Sequence, residues 1–364
     1  MMTELTEHPD SEQAPRTRFW VVLGLSMAAA LLSLVALLVA LIATPKAPEP
    51  PPANGVVTPC DASTVAKATM GSVVTLFVRS RGGGAGNGSG EFLDEDGHIL
   101  TNNHVISSAV DGGTVTVLRP NGEELPATLV GRDPQTDLAV VKVTPREPAT
   151  PIRFGGVPPI GAQVFAIGAP RGLTETFTAG VVSGFERSVR VPSDNDTTAL
   201  LVAAIQTDAA INPGNSGGML ADCANDLVGV PTAGATASDS LGYPVAGNIG
   251  LGFAVPAATA ERVAKSLIND GRVVHGDFGL SVVPILGPNS EITPGGLYIN
   301  SIAAGGPAAR AGLRRSDVIT AIANQPVKSA DQLQETSLTK PPGTSVAVEF
   351  RRGDQIHTAD VVLG

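Results

Sequence analysis

Residues 205–220 read IQTDAAINPGNSGGML, with Ser216 set among Gly214, Gly217 and Gly218. Glycine serves where a backbone must turn tightly and come close to a bound group. If the amides of Gly214 and Ser216 aim at one point they form an oxyanion hole, a device in which one donor is worth ~10²–10³ in kcat. Taken alone, the stretch is equally compatible with an ordinary glycine-rich turn. Its meaning depends on what else the chain supplies.

A nucleophilic serine needs a base, and the chain has five histidines: His8, His98, His104, His275 and His357. His8 precedes a long apolar run, and His275 and His357 flank or enter the C-terminal region. His98 lies in an Asp-Gly-His turn that reads as a solvated loop. His104, in ILTNNHVI, stands at the end of an apparent strand and is the candidate base. The third member should be a carboxylate that orients the imidazole. Asp137, directly before LAVVKV, fits that place; Asp133 is a nearby rival, but Asp133-Pro134 reads as a capped turn. The order His104, Asp137, Ser216 is that of the chymotrypsin fold and differs from subtilisin and the α/β-hydrolases.

The surrounding pattern agrees with a mainly β chain. Of 364 residues, 42 are glycine and 29 proline, with only 4% aromatic, a mix suited to short strands and tight turns. Apolar runs recur at 73–78, 98–101, 114–118, 138–143, 163–167, 178–184, 201–207, 227–230 and 250–255, which argues for a closed barrel or a sandwich, and about 210 residues suits two small barrels packed together. A helix is expected from Ala257 to about Asn269, stopped by Gly271. From Asp277 to Gly364 strands and short helices mix, as in a small α+β binding module.

TNNHV, TDLAVVKV and TDAAINPGNSGG resemble the signature blocks of the HtrA (Deg) family of trypsin-like serine proteases. The similarity extends to GSG (88–90), AIGAPRGL (166–173), TAGVVSG (178–184) and GLGFAVP (250–256). It covers about residues 60–364. The resemblance implies a chymotrypsin-like double β-barrel, with His104 as base, Asp137 as orienting carboxylate, Ser216 as nucleophile and the Gly214 and Ser216 amides as oxyanion hole. Asn215 stands where zymogen-type trypsins carry an aspartate that pairs with a freed N-terminus. Control by N-terminal cleavage is therefore not expected, and loop ordering takes its place. Uncharged Ala210 and Ile211 before the serine suggest a primary pocket for small aliphatic side chains. Asp208 reads as a structural acceptor. Met219 and Cys223 depart from the family pattern.

The C-terminal part resembles a PDZ domain, through GGPAARAGLRRSDVITAIANQPV (305–327) and a carboxylate-binding loop at Asp277, Phe278, Gly279 and Leu280. Residues 281–283 would accept a ligand strand; Asp277 and Pro284 are departures. The expected layout is a cytoplasmic tail (1–18), a transmembrane helix (19–43), a Pro-rich linker (44–59), the protease domain (60–272) and the PDZ domain (277–364).

The span 19–43 holds 25 residues without a charge. As a helix it would reach about 37 Å, enough for a hydrocarbon core of about 30 Å; the alternative is a cleaved export signal of unusual length. Arg16 and Arg18 before it and Lys46 behind it orient the N-terminus to the cytoplasm and the rest outside. Six of the sixteen residues 44–59 are proline, a semi-rigid spacer. On the outer side Cys60 and Cys223 form either a disulfide or two buried thiols. Neither a metal nor a cofactor is called for, and no basic stripe invites nucleic acid, the net charge being −10. The expected partners are unfolded or C-terminally exposed polypeptides, the membrane through 19–43, and further copies of the chain, as a trimer in many relatives. The competing function is a PDZ-mediated chaperone or scaffold with an idle protease fold; a structural membrane adaptor would leave GNSGG and TNNHV without a purpose.

Overall fold

A computed structural model describes residues 60–169, 176–194, 197–234, 248–286, 292–327 and 329–364. The expected tail, membrane helix and Pro-rich linker lie outside these residues. Among the described residues, no helix is long and apolar enough to cross a membrane.

The first barrel closes in the order β1 (Val73–Arg79), β2 (Ala85–Phe92), β3 (His98–Asn102), β6 (Leu138–Lys142), β5 (Glu124–Asp133) and β4 (Thr114–Leu118), with β4 returning to β1. The second closes through β10 (Met219–Ala221), β11 (Leu227–Gly234), β12 (Gly252–Pro256), β9 (Thr198–Thr207), β8 (Thr176–Pro192) and β7 (Gln163–Gly168). Leu76, Phe92, Ile99 and Val117 fill the first barrel; Val164, Val182, Ile205 and Leu220 fill the second. A third cluster joins them: Val73, Leu100 and Leu138 meet Phe165, Ile167, Met219 and Val230. The seam between the barrels is thus itself apolar core.

Helix α1 (Ala62–Thr69) opens the domain, a helix the sequence reading missed. Its N-cap Asp61 accepts from Thr64 Oγ1 (2.8 Å) and Ser63 N (3.0 Å), and these hydrogen bonds hold the carboxyl below its usual range. Two further helices bear on the site: α2 (Asn103–Ile106) after β3, and α3 (Ala257–Asp270) after β12. In α3, Ala257, Ala260, Val263, Ala264 and Leu267 share the buried face, and Gly271 ends it at φ 70° with its N–H on Leu267 O. That left-handed conformation favours glycine.

A buried carboxyl group interrupts the seam's apolar packing. Glu91 on β2 pairs across the sheet with Val73 and Leu100, both in the seam cluster, so its side chain faces the same way. It is fully buried, neither oxygen has a hydrogen-bond partner among the described residues, and burial pushes its carboxyl well above the usual range.

The C-terminal sheet runs β13 (Leu280–Leu286), β14 (Ile292–Ile302), β15 (Val318–Ile322), β17 (Ser345–Arg352) and β18 (Gln355–Val362), with β16 (Gln325–Pro326) beside β15. Helices α4 (Pro307–Arg310) and α5 (Asp331–Thr339) accompany it. On α5, Asp331 and Gln334 bind Arg190 of β8 (Nε to Oδ1 3.0 Å; Nη2 to Oε1 3.3 Å), Glu335 binds Ser188, and the Leu338 carbonyl accepts from Arg262 (3.0 Å).

Candidate active site

His104 lies one residue into α2, not at a strand end as the sequence suggested: β3 stops at Asn102. Its side chain is 35% exposed, whereas that of Asp137 is fully buried. Both Asp137 oxygens serve His104: Oδ1 accepts from the backbone N (2.8 Å) and Oδ2 from Nδ1 (2.7 Å). A carboxylate so placed fixes the tautomer that leaves Nε2 free as a base. Asp137 pays a conformational cost, at φ 58°, where non-glycine residues are rare. Two more bonds offset it, since its carbonyl accepts from Asn103 N (3.1 Å) and Asn102 Nδ2 (2.8 Å). Asn102 Nδ2 also reaches Thr232 Oγ1 in the second barrel (3.0 Å).

Thr232 is the bulged residue of β11, between the paired Pro231 and Ala233. Its carbonyl accepts the Ser216 hydroxyl at 3.4 Å. The His104–Asp137 pair is therefore assembled, whereas no hydrogen bond joins Ser216 to the His104 ring among the described residues. The turn around Ser216 needs its glycines: Gly214 has φ 104° and Gly217 φ 81°. Within it Asn215 N binds Asn212 O (2.9 Å), Gly217 N binds Pro231 O (2.9 Å) and Gly218 N binds Asn215 O (3.0 Å). The amides of Gly214 and Ser216 have no acceptor among the described residues. Two unengaged donors beside a hydroxyl are what an acyl-transfer site requires.

Ala210 offers its carbonyl to Thr178 Oγ1 and Asn215 Nδ2, each at 3.1 Å. Ile211 is buried, and a Cβ added at Gly252 would stand 2.6 Å from its Cδ1. Asp208 accepts from Val181 N (2.7 Å), the structural role expected of it.

Asp133 does cap its turn, through Gln135 N (3.2 Å) and Thr136 Oγ1 (2.5 Å), but it also accepts from His275 Nε2 at 2.8 Å. His98 is not a solvated loop residue: it begins β3, its side chain is 13% exposed, and Nδ1 binds Asp94 Oδ2 at 2.6 Å. Cys60 and Cys223 are joined as a disulfide, with Cα atoms 5.4 Å apart.

In the C-terminal loop Gly279 takes φ 68° and its N–H donates to Asp277 Oδ1 (2.9 Å), while the Phe278 and Gly279 carbonyls accept from Ala308 N and Ala303 N. Leu280, Val282 and Leu333 of α5 all pack against the buried core of the C-terminal sheet. Among the described residues β13 pairs only with β14, which leaves its other edge without a strand partner there.

Sequence reasoning passed over Ser89, Asn102 and Thr232, the polar residues that tie the two barrels together here. Ser89 and Asn102 nevertheless sit inside the GSG and TNNHV blocks.

Two closed barrels with these groups at their seam, followed by a sheet of this order, define a trypsin-like serine endopeptidase carrying a PDZ domain. Family models match accordingly: a trypsin-like peptidase domain over residues 88–230 and a PDZ domain over 276–363. Serine protease PepD of Mycobacterium tuberculosis is 39% identical over 332 residues, 89% of this chain and 70% of PepD. A probable periplasmic serine endoprotease, DegP-like, of Rhizobium meliloti is 36% identical over 76% of this chain; the chain spans 53% of that relative. Among solved structures, the HtrA-type protease AlgW with tripeptide superposes with a TM-score of 0.65 at 31% identity, covering 84% of this chain and 97% of AlgW. The serine endoprotease from Yersinia pestis gives 0.61 at 32% identity, over 84% and 98%. The chain belongs to the HtrA (Deg) family of trypsin-like serine proteases.

Proposed function

We propose that the chain cleaves unfolded or signalling polypeptides outside the cytoplasmic membrane by acyl-enzyme chemistry at Ser216. In this reading Ser216 Oγ leaves the Thr232 carbonyl, gives its proton to His104 Nε2 and attacks the scissile carbonyl carbon. The Gly214 and Ser216 amides hold the oxyanion of the tetrahedral intermediate, and Asp137 stabilises the imidazolium. His104 then protonates the departing amine, and water completes hydrolysis by the reverse roles. The observation that carries the reading is the double engagement of His104 by Asp137, at 2.7 and 2.8 Å. Ala210 and Ile211 would favour small aliphatic residues before the cleaved bond.

The remaining parts of the reading follow the domain order. Residues 60–272 form the protease and 277–364 the PDZ domain, whose loop 277–280 and open β13 edge take peptide C-termini for regulation or substrate capture. Residues 19–43 anchor the chain with its N-terminus in the cytoplasm, and the periplasmic description of the DegP-like relatives supports an extracytoplasmic place for the protease. Assembly into a homo-oligomer, a trimer in the family pattern, belongs to the same reading and is measured by light scattering.

A serine-reactive fluorophosphonate tests the chemistry. The wild type should be labelled and should degrade an unfolded substrate, while Ser216→Ala does neither. Absence of labelling in folded wild-type protein, with PDZ-binding peptides present, would hand the function to the competing chaperone reading, for which the parked Ser216 hydroxyl is the one supporting observation.

A further inference from the structure

We propose that Ser89 is a positioning residue for the reaction, a clasp on β2 that holds the Gly214–Ser216 turn in register from across the barrel seam. The proposal rests on the reading that the Gly214 and Ser216 amides form the oxyanion hole. Ser89 is fully buried, and every polar group it owns is engaged. Its N–H donates to Ser216 O (2.9 Å), and its hydroxyl donates to Gly214 O (2.7 Å) while accepting from Ala169 N (2.8 Å). Its carbonyl accepts from Thr101 Oγ1 (2.7 Å), which fixes Ser89 to the strand leading into His104.

The geometry makes these bonds consequential. A peptide unit is planar, so anchoring a carbonyl anchors the whole plane. Ser89 anchors the plane that follows Gly214 and the plane that follows Ser216, which flank the Ser216 amide on both sides, and the first adjoins the plane that carries the Gly214 amide. The aim of the Ser216 amide is then held from both sides, and that of the Gly214 amide from one, by a residue of the other barrel. Neighbouring glycines are what let Ser89 sit this close: an added Cβ would meet Ser89 Oγ at 2.9 Å from Gly168, Ser89 O at 2.3 Å from Gly217 and Ser89 Cβ at 3.1 Å from Gly218. A hydroxyl that donates and accepts at once is polarised by both partners, which strengthens each bond. The same oxygen also ties the chain end after β7 to the nucleophile turn. Asn87, two residues earlier on β2, holds the other side of that segment by donating to Ala169 O (3.1 Å).

Ser89→Ala removes the hydroxyl without adding volume and leaves the Gly214 carbonyl and the Ala169 amide buried without a partner. Groups that hold substrate in the ground state are untouched. The test compares full-length wild type and Ser89→Ala by steady-state kinetics, thermal unfolding and affinity for a peptidyl boronic acid, whose adduct with Ser216 places an anionic oxygen in the hole. The variant is expected to lose at least ~10-fold in kcat and in boronate affinity, with KM within a factor of about two, since one misaimed donor is worth up to ~10²–10³. Equal boronate affinity and kcat in the two proteins overturn the proposal, as does a parallel loss in KM and boronate affinity, which marks a general packing role. A wild type that is folded yet forms no boronate adduct defeats the catalytic reading itself, and so separates the two failures. If Ser89→Ala does not fold, Ser89→Cys, a weak donor of similar size, takes its place with a smaller loss of the same pattern.

Discussion

His275 and Asp133 face each other across 2.8 Å, both almost fully buried, and Asp133 lies four residues before Asp137. The pair joins the chain just after α3 to the turn that presents the orienting carboxylate. His275 Nδ1 has no partner among the described residues, so Nε2 carries the interaction. Hydrogen bonds to charged groups contribute about 1.5–3 kcal/mol, and His275→Ala should lower unfolding stability by that amount. In a double-mutant cycle with Asp133→Ala the two losses should fail to add, because the second substitution removes a partner already lost. Additive losses in urea denaturation would show the contact to be energetically empty.

Glu91 gives stability an alkaline weakness. Burial alone raises its carboxyl well above the usual range, while the unfolded chain titrates near 4.3. Above that pH the unfolded state releases the proton that the folded state keeps. Glu91's contribution is therefore complete below about pH 4.3 and is lost as pH climbs towards the folded-state value. Glu91→Gln should melt above wild type at pH 7–8, by about 2–4 °C for each kcal/mol regained, and the gap should close towards pH 4. The difference between the two melting curves cancels every other titrating group. A gap that does not change with pH would show that Glu91 does not ionise differently in the two states.

Asp277 occupies with its own carboxylate the Gly279 amide that a peptide's terminal carboxylate would seek. In the proposed reading a ligand displaces it and then sits beside its charge. Asp277→Ala should tighten binding of a peptide with a free C-terminus by about 3–10-fold, a gain of under ~1.4 kcal/mol. The amidated peptide should gain nothing. Fluorescence polarisation with both peptides decides: equal gains would point to relaxed packing and would remove electrostatics as the cause.

How much of this was legible in the chain depends on the kind of signal each residue leaves. Helix α3 announced itself through apolar spacing and Gly271, and TVTVL or LAVVK could hardly be anything but strands. β2 was missed because AGNGSGEF carries three glycines in eight residues, which read as loop; closure of the barrel supplies its ladder partners regardless. His104 was found by elimination, yet its place on a helical turn was not, since α2 has only four residues. Ser89 and Asn102 left no signal of their own. Their importance comes from partners 125 and 130 residues away, Gly214 and Thr232, and a sequence does not print such distances.

In the proposed reading Ile211 sets the size of the side chain that the site should accept. It is 4% exposed and rests against Gly252, where even a methyl group would collide with its Cδ1. Two residues thus share one volume, the isoleucine side chain filling space that a side chain at position 252 would need. Each methylene's worth of room in an apolar pocket changes discrimination by about 10–200-fold. Ile211→Ala should therefore raise kcat/KM for leucine or methionine before the cleaved bond, relative to alanine or valine, by about 10-fold or more. The truncation empties a buried position and should cost about 2–5 kcal/mol, so its profile is read on protein shown to be folded, with Ile211→Val as the milder step. A graded shift from wild type through valine to alanine fits a pocket floored by this side chain. An unchanged preference across all three would place the floor elsewhere, because no other consequence of removing Cγ and Cδ atoms could leave a pocket's size untouched.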